Sequence, residues 1–168
     1  MFHSIVILFL ITLIPGLELR ASIPLGIFGG DLVESPLAWQ WVVLVCVISN
    51  ILIGWTFFLC LHPLVCLFRK MEWCDRLLKK YLDRAQEKLK PQVEKYGFWG
   101  VAVFIGIPLP MTGAYTGAAG AYALGMKRRK FMVANVVGVL IAGVCVTIVC
   151  MLIKSGVESP LLQHLIKQ

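Results

Sequence analysis

The chain has 168 residues, 59% of them apolar, with a mean hydropathy of +0.84 and a formal net charge of +7. A soluble domain cannot hold that much apolar surface in water, so the composition predicts one integral membrane domain. Basic clusters beside apolar spans orient a chain in the bilayer and attract anionic lipid, so the positive charge does not point to nucleic acid.

In chain order, Phe2 to Ile14 forms an apolar helix too short to span comfortably, ended by Pro15-Gly16. It lacks the basic start and small-residue cleavage pattern of a signal peptide, so it is read as retained structure. Leu17 to Gly30 is apolar apart from Glu18 and Arg20. Asp31 and Glu34 follow in a short polar loop closed by Pro36. Leu37 to Phe68 then runs 32 residues without a formal charge, with His62-Pro63 expected at the interfacial end of a crossing over 37–62. Arg69 to Lys90 reads as a basic amphipathic helix, its stripe made by Leu78, Leu82, Ala85 and Leu89 and widened by Trp73, Leu77 and Tyr81. Such a helix is expected to lie in the cytoplasmic interface and to stop at Pro91.

Tyr96 to Met126 holds 31 residues without a charge, interrupted by Ile107-Pro108-Leu109-Pro110-Met111-Thr112-Gly113. It is too short for two crossings, which need about 20 residues each. Lys88, Lys90 and Lys95 precede it and Lys127-Arg128-Arg129-Lys130 follow it, so one crossing would put two basic clusters on opposite faces. The segment therefore reads as a re-entrant hairpin, tolerated only where protein or a water-filled cavity meets its backbone. Phe131 to Ile153 is a 23-residue uncharged transmembrane helix.

The halves look related. Ile23-Pro24-Leu25 recurs as Ile107-Pro108-Leu109, and each is followed by an Asn and then a Gly in a spanning helix: Asn50 and Gly54, then Asn135 and Gly138. Each half reads as a Pro-broken hairpin plus a crossing (hairpin 2–30, then hairpin 96–126). The charge rule places them in opposite senses. The expected fold is an all-α integral membrane protein, an inverted repeat of two re-entrant helical hairpins with transmembrane helices and an interfacial helix.

Charges inside a membrane are expensive and mark pathways, which singles out Glu18 as a proton or cation group and Arg20 as an anion fork. Pro24, Pro108 and Pro110 interrupt helical ladders. Thr112 and Gly113 stand where the return helix begins, with Thr112 a candidate N-cap, and Tyr115 and Thr116 lie on its first turn. Asn50 and Asn135 are polar in apolar spans, suited to the freed backbone of a broken hairpin or to a substrate. Gly113, Gly117 and Gly120 with Ala114, Ala118 and Ala121 form a small-residue face for close helix packing. The six cysteines (46, 60, 66, 74, 145 and 150) make no Cys-x-x-Cys pair, and His3, His62 and His164 lie far apart. No metal, no cofactor, no catalytic set and no nucleotide-cradling loop is expected, so the chain reads as no enzyme.

Glu18 to Gly26 (Glu-Leu-Arg-Ala-Ser-Ile-Pro-Leu-Gly) and Ile107 to Gly117 (Ile-Pro-Leu-Pro-Met-Thr-Gly-Ala-Tyr-Thr-Gly) resemble the two signatures of the small multidrug export protein family, which is similar in turn to the DedA (VTT-domain) superfamily. The resemblance covers about residues 10 to 153. It implies opposed re-entrant hairpins and, from DedA relatives, translocation of polyprenyl-phosphate-like lipid. Gly106 to Gly125 holds no arginine, unlike the corresponding DedA turn, which leaves Arg20 as the intramembrane guanidinium. The leading expectation is a lipid translocase working by alternating access. The alternatives are a proton-coupled exporter of lipophilic cations with Glu18 as the shared carboxylate, and a non-transporting membrane interaction protein. The partners expected are membrane lipids, anionic ones included, and a second copy in a homodimer. Residues 69–95 and 127–130 are expected on the cytoplasmic side of a multi-pass cell-membrane protein.

Overall fold

Helices account for the secondary structure of the described residues. In the computed structural model residues 2–14, 17–29, 38–68, 72–107 and 112–157 are described, and among them there are seven helices and no strand. They are α1 (Phe2–Thr12), α2 (Glu18–Phe28), α3 (Trp39–Phe68), α4 (Glu72–Tyr96), α5 (Phe98–Gly106), α6 (Ala114–Ala123) and α7 (Arg128–Val157). The sequence alternates accordingly. Two short apolar helices precede a 30-residue helix in the first half, and two more precede a 30-residue helix in the second. Helices α3 and α7 are long and apolar enough to cross a membrane.

The outer surface has the composition expected of a lipid-facing one. On α7, Leu152 is 66% exposed and Val144 58%, with Ile148 and Val149 also exposed. In water such a patch would drive association. In hydrocarbon it is at equilibrium.

Prolines end fewer helices than their chemistry suggests. Pro91 lies inside α4, which continues to Tyr96, and Pro63 lies inside α3, which continues to Phe68. Both side chains are exposed, so the carbonyl each proline leaves unpaired does not face a packed neighbour. The turn of α4 beyond Pro91 is held by packing. Gly100 of α5 presses against the Gln92 backbone, and Val93 joins the core. Pro24 likewise sits inside α2. The break of the first half falls at residues 13–17, and Pro24 is one helix later than Ile107, which ends α5. Ile23 therefore lies inside a helix, whereas Ile107 follows the end of one. Pro15-Gly16, Pro36, Pro108, Leu109, Pro110 and Met111 lie outside the described residues.

The apolar stripe of α4 is covered by the protein itself. Leu82, Ala85 and Leu89 are buried, against α6 and the end of α3, with Leu61 and Ala119 in the same cluster. Leu77 remains exposed, and Tyr81 is partly covered at 40% exposure. The small-residue face of α6 makes this approach possible. A Cβ on Gly120 would stand 2.7 Å from the Ala85 carbonyl oxygen, and one on Gly117 would stand 2.6 Å from the Ile105 side chain. Backbone cannot step aside as a side chain can. Gly120→Val should therefore force α4 off α6 at a cost of about 1–3 kcal/mol. Thermal unfolding in detergent should show a midpoint several degrees lower, and an unchanged midpoint would refute the close contact.

A buried carboxylate at a helix start

The site is built where the first half meets the interruption between α5 and α6. Glu18, 5% exposed, opens α2 with φ 44°, a left-handed conformation that side-chain-bearing residues seldom adopt. That geometry aims its carboxylate at the first turn of α6. Oε2 accepts from the Ala114 N–H at 3.1 Å, and Oε1 accepts from the Tyr115 N–H at 3.4 Å. Asn50 on α3 donates its amide to Oε2 at 3.4 Å. These are the orphan donors that every helix start exposes, and the helix dipole adds to their pull on an anion.

Thr112 does not cap α6. Gly113 holds the N-cap position and makes no side-chain bond, and the cap arrives from Glu18. Gly113 is required twice over. Its φ is 148°, and a Cβ there would lie 2.5 Å from Glu18 Oε2. The Thr112 hydroxyl instead donates to the Ile107 carbonyl at 2.8 Å, closing the mouth of the interruption.

Arg20 fastens the same turn from the side. Its Nη2 donates to the Thr112 carbonyl at 2.5 Å, to the Thr112 hydroxyl at 2.8 Å and to the Ile107 carbonyl at 3.3 Å. Arg20→Ala would leave the Thr112 carbonyl short of a donor in a half-buried place, which costs about 1–3 kcal/mol. A matching fall in the unfolding midpoint is the expected readout.

Tyr115 links the site to α1. Its hydroxyl donates to the Leu13 carbonyl at 2.7 Å, and its ring meets Phe57 edge-on with centroids 5.0 Å apart. On its far side opens an apolar cavity of about 280 Å³, lined by Phe9, Leu13, Leu52, Phe57 and Tyr115 among others, with Ser49 and Thr56 its polar points. Below the carboxylate, Thr12 donates to Ser22, and Ser22 donates to the Glu18 carbonyl, at 2.9 and 2.8 Å. Neither Thr12 nor Ser22 was expected in the site, although two hydroxyls in an apolar hairpin were a visible signal.

The structure brings together Glu18, Arg20, Asn50, Thr112, Gly113 and Tyr115, and it separates others. Asn135 lies on α7 and donates to the Ile51 carbonyl at 3.2 Å, while Trp55 returns a bond to the Met132 carbonyl at 3.3 Å. Gly54 leaves the room that the Asn135 amide fills. Pro24 is half-buried in α2, and Pro108 and Pro110 lie outside the described residues. Thr116 turns toward α4, where it faces Tyr81. Burial pushes the Tyr81 phenol above its ordinary range, and the Glu18 carboxylate adds to the rise while the Thr116 hydroxyl opposes it. Two buried acceptors, Asn50 Oδ1 and Asn135 Oδ1, have no protein partner among the described residues.

Among the described residues the fold is all-helical, with two helices apolar enough to cross a membrane and the buried Glu18 carboxylate where its halves meet. The family model described as "Putative small multi-drug export protein" matches residues 18–145, beginning at Glu18 itself, and the chain belongs to that family. No curated protein and no solved structure matches it.

Proposed function

We propose that the protein exports small lipophilic cations in exchange for protons, with Glu18 as the group that both compete for. The observation that carries this reading is a buried carboxylate beside an aromatic-lined apolar cavity, with Tyr115 belonging to both. An apolar cavity accommodates the body of a lipophilic cation, and aromatic faces favour its charge. The carboxylate then supplies the countercharge that a low-dielectric site demands. The family's export designation agrees with a transporter.

The two protonation states of Glu18 are served by one neighbour. As a carboxylate it accepts from the Asn50 amide N–H. As an acid it has an O–H to place, and the Asn50 Oδ1, buried and unpartnered, is the acceptor that a turn of the amide presents. Protonation also removes the charge that holds the α6 N–H groups, so it loosens the start of α6. In this reading the α1–α2 and α5–α6 pairs dip into the bilayer from opposite faces, α3 and α7 cross it, and residues 69–95 and 127–130 face the cytoplasm. A second copy in a homodimer would close the cavity. A polyprenyl-phosphate cargo, the DedA-like reading, has less support: the Arg20 guanidinium it calls on is already engaged by the Thr112 and Ile107 carbonyls.

Protons and cation should compete for the carboxylate. Tetraphenylphosphonium binding to detergent-purified protein should weaken as the pH is lowered, and Glu18→Gln should lose that dependence. Probe binding that does not change with pH in the wild-type protein would defeat the exchange mechanism.

A further inference from the structure

The α4–α6 groove carries a second site, one the export reading does not use. Lys80, Arg84 and Lys88 stand at four-residue intervals along one side of α4, and all three line a cavity of about 280 Å³. Its remaining lining is Leu77, Tyr81, Ala85 and Thr116, so the cavity has no acidic lining residue. Asp83 and Glu87 share the helix, but neither lines the cavity. The floor is fixed by the close approach of Ala85 to Gly120, which keeps α4 seated on α6.

We propose that this groove binds the phosphate of an anionic membrane phospholipid. The composition fits a headgroup with its upper chain. Three cations converge on one mouth, two hydroxyls (Tyr81 and Thr116) supply donors to phosphate oxygens, and Leu77 and Ala85 offer an apolar rest. The Tyr81 phenol is a neutral donor across the physiological range, as an ordinary tyrosine is. Charge complementarity selects an anionic headgroup over a zwitterionic one, because a choline headgroup would bring its own cation into a trio of cations. A lipid in this position touches α4 and α6 at once, and α6 is the helix whose start Glu18 holds. Occupancy would therefore brace the helix that moves with the carboxylate.

The test is native mass spectrometry of the purified full chain with added phosphatidylglycerol or phosphatidylcholine. Wild-type protein should retain phosphatidylglycerol about tenfold more tightly. Lys80→Gln with Arg84→Gln should abolish that preference, whereas Lys127→Gln with Arg128→Gln, both exposed, should preserve it. Millimolar inorganic phosphate should not displace the lipid. Equal loss in both double variants would reduce the effect to bulk charge and overturn the site, and displacement by phosphate would make it a free-phosphate site instead. Lys80 and Arg84 are both exposed, and a circular-dichroism melt superimposable on wild type confirms that only binding has changed. The readout is lipid retention, so its failure leaves the export mechanism standing, and the reverse.

Discussion

Glu18→Gln should abolish uphill transport. In proteoliposomes with an imposed pH gradient, wild-type protein should accumulate a lipophilic cation against its gradient, and the variant should bring it only to equilibrium. The reason lies in the number of exchangeable charges. Glutamine nearly matches glutamate in volume but cannot bind or release a proton, so nothing links cation movement to the gradient. There is a structural cost as well. The amide offers one acceptor where the carboxylate offered two, and its NH₂ would point at an N–H of α6. That mismatch should destabilise the fold by about 1–3 kcal/mol. A melt and a gel-filtration profile must therefore accompany the assay, to show that the protein examined is folded. Uphill accumulation retained by a folded Glu18→Gln variant would end the shared-carboxylate mechanism.

Gly113→Ala is expected to damage the fold and the site together. Two independent effects meet there. A side chain at φ 148° is strained whatever surrounds it, at about 1–3 kcal/mol. The new Cβ would also stand 2.5 Å from Glu18 Oε2, so the carboxylate must retreat from the helix start it caps. Overpacking of this kind adds about 1–3 kcal/mol. Together they predict an unfolding midpoint on the order of 10 °C lower. A double-mutant cycle separates the terms. In a Glu18→Ala background the clash is gone and the strain remains, so Gly113→Ala should cost less there. Equal cost in both backgrounds would show that the carboxylate does not press on Gly113.

How much of this was legible beforehand depends on the range of the interaction. Local rules located the helices well, because apolar runs and charge flanks are properties of neighbours. The interruption between α5 and α6 falls on the Pro-rich segment that breaks the uncharged stretch at 107–113. The prolines misled where packing outweighed them. A missing N–H argues for a stop at Pro24, Pro63 or Pro91, yet α2, α3 and α4 run on, since losing one backbone bond is a smaller matter than losing a packed turn. Glu18, Arg20 and Asn50 could be singled out as polar residues in apolar surroundings. Their partners could not. The bond from Ala114 to Glu18 joins residues 96 positions apart, and no periodicity encodes it. Thr112 is the instructive case: its residue type suits an N-cap, but a buried carboxylate competes for the same N–H groups and, carrying a full charge, binds them better.

The long span of that bond also bears on how the chain is made. A ribosome releases Glu18 well before Ala114, so the first half enters the bilayer with its acid still lacking the helix start that will hold it. During that interval its oxygens must be served by other donors, since a buried polar group without a partner is costly. Arrival of α6 then supplies the Ala114 and Tyr115 N–H groups, so the contact that completes the site is also one that joins the two halves of the chain late in its synthesis.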